Sequence, residues 1–151
     1  PGIMEAANRG AKDVNAKSIG LNITLPHEQD PNPYISPDLN FLFRYFAIRK
    51  MHFLLRAKAL CAFPGGYGTL DELFEALTLV QTGKVEPFPI VLVGVAYWEG
   101  LVDCIKQRML DEKCISEEEL ELFELVDNSE QAAEVILRHI RMDNSNVASE
   151  L

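Results

Sequence analysis

Long hydrophobic runs are missing from this sequence. No apolar stretch approaches the ~20 residues that a helix needs to cross a bilayer, so no membrane partner is expected. The opening residues also lack the basic-then-apolar layout of a secretory signal. Cysteine is sparse. The three thiols, Cys61, Cys104 and Cys114, are far apart, odd in number and not paired with nearby histidines. Neither a disulfide framework nor a metal site is expected from them, and a reducing, cytoplasmic setting suits the chain. Positive charge is scarce too: 14 Lys and Arg face 23 Asp and Glu, a formal net charge of -9. A duplex binder needs a basic face to displace counterions, so no nucleic-acid partner is expected. The acid is densest in Glu117, Glu118, Glu119 and Glu121, which reads as a solvated helix face. Basic residues around Arg44, Arg49, Lys50, Arg56 and Lys58 can still receive one small anion. An initiator Met is absent as well, because the chain opens at Pro1-Gly2 straight into a helix-like pattern. An upstream strand and glycine-rich turn are therefore expected to belong to the parent protein.

What is present is ordinary for a globular domain: 151 residues, 48% hydrophobic and 25% charged. Helical spacing of Ile3, Ala6, Ala7, Gly10, Ala11 and Val14 predicts a helix over about 3–14. Lys17 to Thr24 reads as a buried strand, and a loop from Pro26 to Asp38 is kept irregular by Pro31, Pro33 and Pro37. Leu39 to Phe46 suits a strand, Ala47 to Arg56 a helix and Ala57 to Phe63 a strand. An amphipathic helix follows from Thr69 to about Thr82, ended by Gly83. Pro89 to Val93 is the next strand and Trp98 to about Glu112 the next helix. Ser116 with Glu119 makes a capping box, Phe123 to Val126 a short strand, and Ser129 to Met142 a last helix. Strands that alternate with helices and are continuously apolar predict an α/β fold with a parallel sheet covered on both faces. One domain is expected over residues 1–142, with a frayed polar tail at 143–151.

The most informative stretch is Pro64-Gly65-Gly66-Tyr67-Gly68-Thr69-Leu70-Asp71-Glu72. It follows a buried strand and opens a helix, which puts it at the sheet edge where open α/β folds bind ligands. Its glycines are expected to supply positive φ and close backbone approach. Turn amides and the positive end of the helix dipole then make a phosphate seat from Gly65, Gly66, Tyr67, Gly68 and Thr69. No Lys-Ser/Thr pair closes the loop, which excludes a Walker A site, and the missing third glycine makes a dinucleotide fingerprint poor. A monophosphate fits better. Thr69 and Glu72 also have capping-box spacing, so on spacing alone Glu72 is equally a helix cap or a carboxylate beside bound ligand. Tyr67 can stack on a base or only cover the turn.

These residues resemble the LOG (Lonely guy) family, many of whose members carry the label "possible lysine decarboxylase". The resemblance rests on the P-G-G-x-G-T-x-x-E run from Pro64 to Glu72 and on Arg49-Lys50 upstream of it. It is extended by Pro1 to Glu5, Asn8 to Ala11, Gln81 to Lys84 and Tyr97-Trp98. It implies a Rossmann-like three-layer fold, here apparently without its N-terminal strand or strands. It also implies a homodimer or higher homo-oligomer, with no cofactor. The activity implied is hydrolysis of the N-glycosidic bond of a nucleoside 5′-monophosphate, AMP or cytokinin-type, to free base and ribose 5-phosphate. Arg49 and Glu72 match the family's catalytic pair, and Lys50, Met4 and Glu5 join the glycine turn as nucleotide contacts. Met51-His52-Phe53 after Arg49-Lys50 departs from the plant-type pattern. So does the loop with Pro26, His27 and Glu28, which resembles the longer bacterial members.

The bland alternatives are concrete. Arg49 can be a surface ion-pair partner, Met4 a packing residue, Glu5 and Asn8 solvent-facing, and Trp98 a packing residue against the sheet. His27, His52 and His139 share no metal-ligand spacing and read as loop or surface histidines. A non-catalytic nucleotide or molybdenum-cofactor carrier on the same fold is the competing class. An amino-acid decarboxylase is third, because no pyridoxal-phosphate lysine motif is visible.

Overall fold

The computed structural model describes residues 2–24 and 31–149, with side chains up to residue 142. It falls into two compact units, residues 1–56 and 57–151.

In the first unit, α1 (Ile3–Asp13) leads to β1 (Gly20–Ile23), and β2 (Asn40–Phe43) lies parallel to it before α2 (Phe46–Leu54). The register runs from Gly20 opposite Asn40 to Ile23 opposite Phe43. Parallel strands need a crossover, and the proline-punctuated segment supplies it. Residues 25–30, including Pro26, His27 and Glu28, lie outside the described residues. At its far end the loop is not irregular as expected: Pro37 opens a 3-10 turn, Pro37–Leu39. Proline suits that first helical position because its φ is already fixed and its missing N–H is not needed there. Buried Ser18 ties the unit together. Its hydroxyl donates to Asn8 Oδ1, its N–H donates to Ser36 Oγ at 3.0 Å, and the Ser36 N–H returns to the Ser18 carbonyl. The apolar stripe predicted for α1 exists but buries no residue. Of the residues in α2, Leu54 alone is buried, while Phe46, Ile48, Met51 and Phe53 are exposed.

The second unit alternates β3 (Leu60–Ala62), α3 (Tyr67–Gln81), β4 (Ile90–Val93), α4 (Val95–Cys104), β5 (Glu124–Val126) and α5 (Ser129–Ser149). Its strands pair in the order β3-β4-β5, all parallel. All four residues of β4 are buried, as a continuously apolar central strand requires when both sheet faces are covered. On one face Val91 and Val93 pack with Ala132 and Val135 of α5, flanked by Cys61, Phe63, Val126 and Ile136. Burial raises the Cys61 thiol above its ordinary pKa. Trp98 of α4 is 1% exposed, and its indole N–H donates to the Val93 carbonyl at 3.2 Å. The expected packing role of Trp98 is what the fold uses.

Two helix ends differ from expectation. α4 starts at Val95, earlier than Trp98, because Gly94 supplies a left-handed N-cap. It then widens into a π-helical segment, Ile105–Leu110. α5 continues past Met142 to Ser149, since no Gly or Pro in residues 143–149 interrupts the backbone ladder. One stop signal behaves as read, and one start signal does so in half. Gly83, at φ 65, closes α3, with its N–H bonded to Val80 O and that of Lys84 to Leu79 O. Glu119 Oε2 accepts the Ser116 N–H at 2.8 Å, the carboxylate half of the capping box, ahead of a 3-10 turn, Glu118–Leu122. The architecture is α/β with parallel strand pairing, and it is Rossmann-like.

Candidate functional site

The glycine turn sits where β3 ends and α3 begins, at the carboxyl edge of the three-stranded sheet. The helix starts two residues before the expected Thr69. Gly66 is the N-cap, and its carbonyl accepts the N–H groups of Thr69 at 3.0 Å and Leu70 at 3.2 Å. No side chain caps α3. Thr69 therefore lies inside the first turn, the Thr69–Glu72 capping box does not form, and Glu72 falls in the second turn. The amides of Tyr67 and Gly68, at the first two helical positions, precede any intrahelical acceptor, and the positive end of the helix dipole adds to them.

The glycines earn their places differently from the prediction. None of Gly65, Gly66 and Gly68 has positive φ; among the described residues the glycines with positive φ are Gly2, Gly83 and Gly94. Gly65 is required by proximity. A Cβ there would overlap Thr69 Oγ1 and lie 3.0 Å from Thr69 Cβ. Cβ atoms at Gly66 and Gly68 would meet nothing within 4 Å, so these two residues keep open space in front of the turn. Tyr67, 92% exposed, does not cover the turn.

A second turn backs the first. Gly94, at φ 102 between β4 and α4, lies against Pro64: a Cβ there would sit 3.5 Å from Pro64 Cγ. The Gly94 N–H donates to the Val126 carbonyl at 2.7 Å. From the first turn of α4, the Tyr97 hydroxyl donates to the Gly65 carbonyl. Sequence reading missed this contact, since 32 residues separate the partners.

Glu72 is half-buried, with its Oε2 shut off from solvent. Side chains on a helix lean toward its N-terminus, and residues four apart share a face. Gly68, four residues before Glu72 on the same helix face, carries no side chain. Glu75, one turn further on, also holds its Oε2 away from solvent. It was not singled out in the sequence, although its spacing of three from Glu72 was visible.

In the first unit, Arg49 and Lys50 are the fourth and fifth of the nine residues of α2, whose N-cap is Tyr45, and both are half-buried. The Arg49 N–H bonds the Tyr45 carbonyl at 3.2 Å, and its guanidinium lies 5.8 Å from the Phe46 ring centroid. Met4 and Glu5 occupy the first turn of α1. Met4 is 76% exposed, which removes the packing role, and Glu5 is half-buried. His52 is a helix residue that bonds the Ile48 carbonyl through Nδ1 at 2.9 Å and contacts the Phe43 ring. His139 is half-buried in α5, not in a loop. Among the described residues, no group of three or more His, Cys, Asp and Glu is arranged to hold a metal ion. None of their helices is long and apolar enough to cross a membrane.

A parallel α/β sheet with a glycine turn feeding a helix at its carboxyl edge is the arrangement of Rossmann-like proteins. Residues 4–136 match the family model described as "Possible lysine decarboxylase", and the chain belongs to that family, the LOG family. Two curated relatives share its sequence in part. Cytokinin riboside 5'-monophosphate phosphoribohydrolase LOG7 of Arabidopsis thaliana is 41% identical over 69 residues, 45% of this chain and 31% of the relative. Probable cytokinin riboside 5'-monophosphate phosphoribohydrolase LOGL3 of Oryza sativa subsp. japonica is 40% identical over 62 residues, 40% of this chain and 29% of the relative. The matches thus span about 30% of the length of these relatives.

Proposed function

We propose that the protein hydrolyses the N-glycosidic bond of a nucleoside 5′-monophosphate, AMP or a cytokinin-type nucleotide, releasing the base and ribose 5-phosphate. The observation that carries this reading is the turn at Gly66–Gly68. Helix-start amides and side-chain-free space there adjoin a helix with a sheltered carboxylate, Glu72, in its second turn. Membership of a family whose relatives are named as phosphoribohydrolases supports it.

In this reading the 5′-phosphate rests on the amides of the Gly65–Gly68 turn, the Thr69 N–H being taken by the Gly66 carbonyl, and that remote binding energy fixes the reacting bond in place. Breaking the C1′–N bond sends its electron pair to the base and leaves positive charge on the ribose. Glu72 stabilises that charge and orients or deprotonates the attacking water, whose oxygen ends on C1′. Arg49 acts as a fixed cation on the base or phosphate side; a guanidinium is too weak an acid to donate the proton. Lys50, Met4 and Glu5 are the remaining nucleotide contacts proposed. A reducing cytoplasm suits the free thiols Cys61, Cys104 and Cys114. The exposed apolar residues Phe46, Ile48, Met51 and Phe53 of α2 support a homodimer or higher homo-oligomer. Sedimentation at micromolar concentration reads that state directly, and a monomer removes it.

Purified protein incubated with a panel of nucleoside monophosphates is expected to yield free base by chromatography. Glu72→Gln and Arg49→Ala should each lower the rate by ~10²–10⁴-fold while the variants stay folded. Folded variants that release base at the parent rate refute the roles. A protein that binds nucleotide yet releases no base from any of them is a carrier module instead.

A further inference from the structure

Resting on the phosphate-seat reading above, we infer that Tyr97 is a positioning residue that sets which way the Gly66 amide faces. The Gly65–Gly66 peptide lies between two residues without Cβ, so its plane can rotate more freely than one flanked by side chains. It is trans, as are all described peptide bonds, so the Gly65 carbonyl and the Gly66 N–H point in opposite directions. The Tyr97 hydroxyl holds that carbonyl, and in doing so turns the Gly66 N–H to the opposite side. The Thr69 side chain fills the space beside Gly65.

The tyrosine is itself anchored. Its N–H bonds the Gly94 carbonyl at 3.0 Å, and its ring meets Trp98 edge-on, with centroids 4.9 Å apart and planes at 85°. Trp98 is buried and bonded to Val93. The chain of contacts runs from the buried strand to a single peptide plane. Tyr97 touches no reacting atom in this scheme; it acts through the backbone amide that the phosphoryl oxygen meets.

Tyr97→Phe deletes the hydroxyl and keeps the ring against Trp98. Titration calorimetry with ribose 5-phosphate and amide NMR of Gly66, on the parent and the variant, test the inference. The variant should bind ribose 5-phosphate roughly tenfold more weakly, the worth of one hydrogen bond. KM for AMP should rise by a similar factor with a smaller change in kcat, and the Gly66 resonance should respond less to ligand. The melting temperature should move by no more than about 3 °C, because the bond is half-exposed. Unchanged ribose 5-phosphate affinity and unchanged KM overturn the inference, whether or not the melting temperature falls. A parent protein with no affinity for ribose 5-phosphate overturns it together with the seat. A parent that binds ribose 5-phosphate without releasing base from any nucleotide sinks the hydrolase proposal alone, and the binding comparison still decides the role of Tyr97.

Discussion

Replacing Gly65 and Gly66 one at a time by alanine separates the fold of the glycine turn from its use. At Gly65 the new methyl group would overlap Thr69 Oγ1 and press on Thr69 Cβ at 3.0 Å and Cγ2 at 3.4 Å. Thr69 is β-branched and inside a helical turn, so it has few rotamers to retreat to. Relief must come from a shift of the turn or of the start of α3, and overpacking of this kind costs about 1–3 kcal/mol. In a chain of this length each kcal/mol lowers the melting temperature by about 2–4 °C. At Gly66 the methyl would meet nothing within 4 Å, and φ -88 with ψ -156 is backbone that alanine accepts. Gly66→Ala should therefore be as stable as the parent, or gain about 0.4–1 kcal/mol from a less flexible unfolded chain. Its methyl nonetheless stands at the helix start, and base release from AMP should fall at least ~10-fold. The assay pairs thermal unfolding by circular dichroism with chromatography of released base. Adding Thr69→Ala to Gly65→Ala should restore part of the lost stability, since it removes two of the three crowding atoms. A Gly65→Ala protein as stable as Gly66→Ala would refute the packing argument. A Gly66→Ala protein with full activity would refute the claim that ligand approaches this backbone.

Trp98→Ala should lower stability by ~3–5 kcal/mol, because it empties a fully buried site. Trp98→Phe should cost less, about 1–3 kcal/mol, most of it from leaving the Val93 carbonyl without its donor; denaturant melts of the two variants order them, and equal losses would contradict the assignment. The Ser116 N–H first, and the Gln81 side chain second at 2.8 Å, hold the Glu119 carboxyl below its ordinary pKa. A carboxyl lowered in the folded state stabilises the fold above its ordinary value, and that contribution is lost as pH falls through the lowered one. Between about pH 5 and pH 3 the parent should therefore lose melting temperature faster than Glu119→Gln, and parallel pH profiles would exclude the effect.

How far the sequence could be read depended on whether a signal was local. Pro89 to Val93 reads as a buried strand because apolar residues in succession can only be covered on both sides, and the structure places Ile90–Val93 at the centre of its sheet. Gly83 reads as a stop because a left-handed residue after a periodic run is a local demand. The start of α3 was misplaced for an equally local reason. Thr69 with Glu72 has the spacing of a capping box, yet Gly66 caps the helix with its backbone and Thr69 fills the space beside Gly65. Composition could not reveal that the turn obtains its curvature without positive φ. It could not show either that the left-handed glycine belongs to the next turn, at Gly94. The hydroxyl bond from Tyr97 to Gly65 joins residues far apart in the chain, and no periodicity announces it. The solvent exposure of α1 also escaped, because an apolar stripe says that a helix has something to bury without saying what covers it. Arg49 and Glu72 gained their suggested roles from family resemblance. The fold adds that Glu72 shelters an oxygen and that Arg49 is half-buried on α2, with its guanidinium beside the Phe46 ring.

The bond from Gly94 to Val126, the seat of Pro64 on Gly94 and the bond from Tyr97 to Gly65 fasten three successive strand ends to one another. Binding segments are commonly drawn from the softer parts of a protein and open well before the rest. Here the glycine turn shares its fastenings with the sheet and has little freedom to loosen by itself. Warming or denaturant should then extinguish ligand recognition and strand pairing within a single transition, with no folded but recognition-dead species in between.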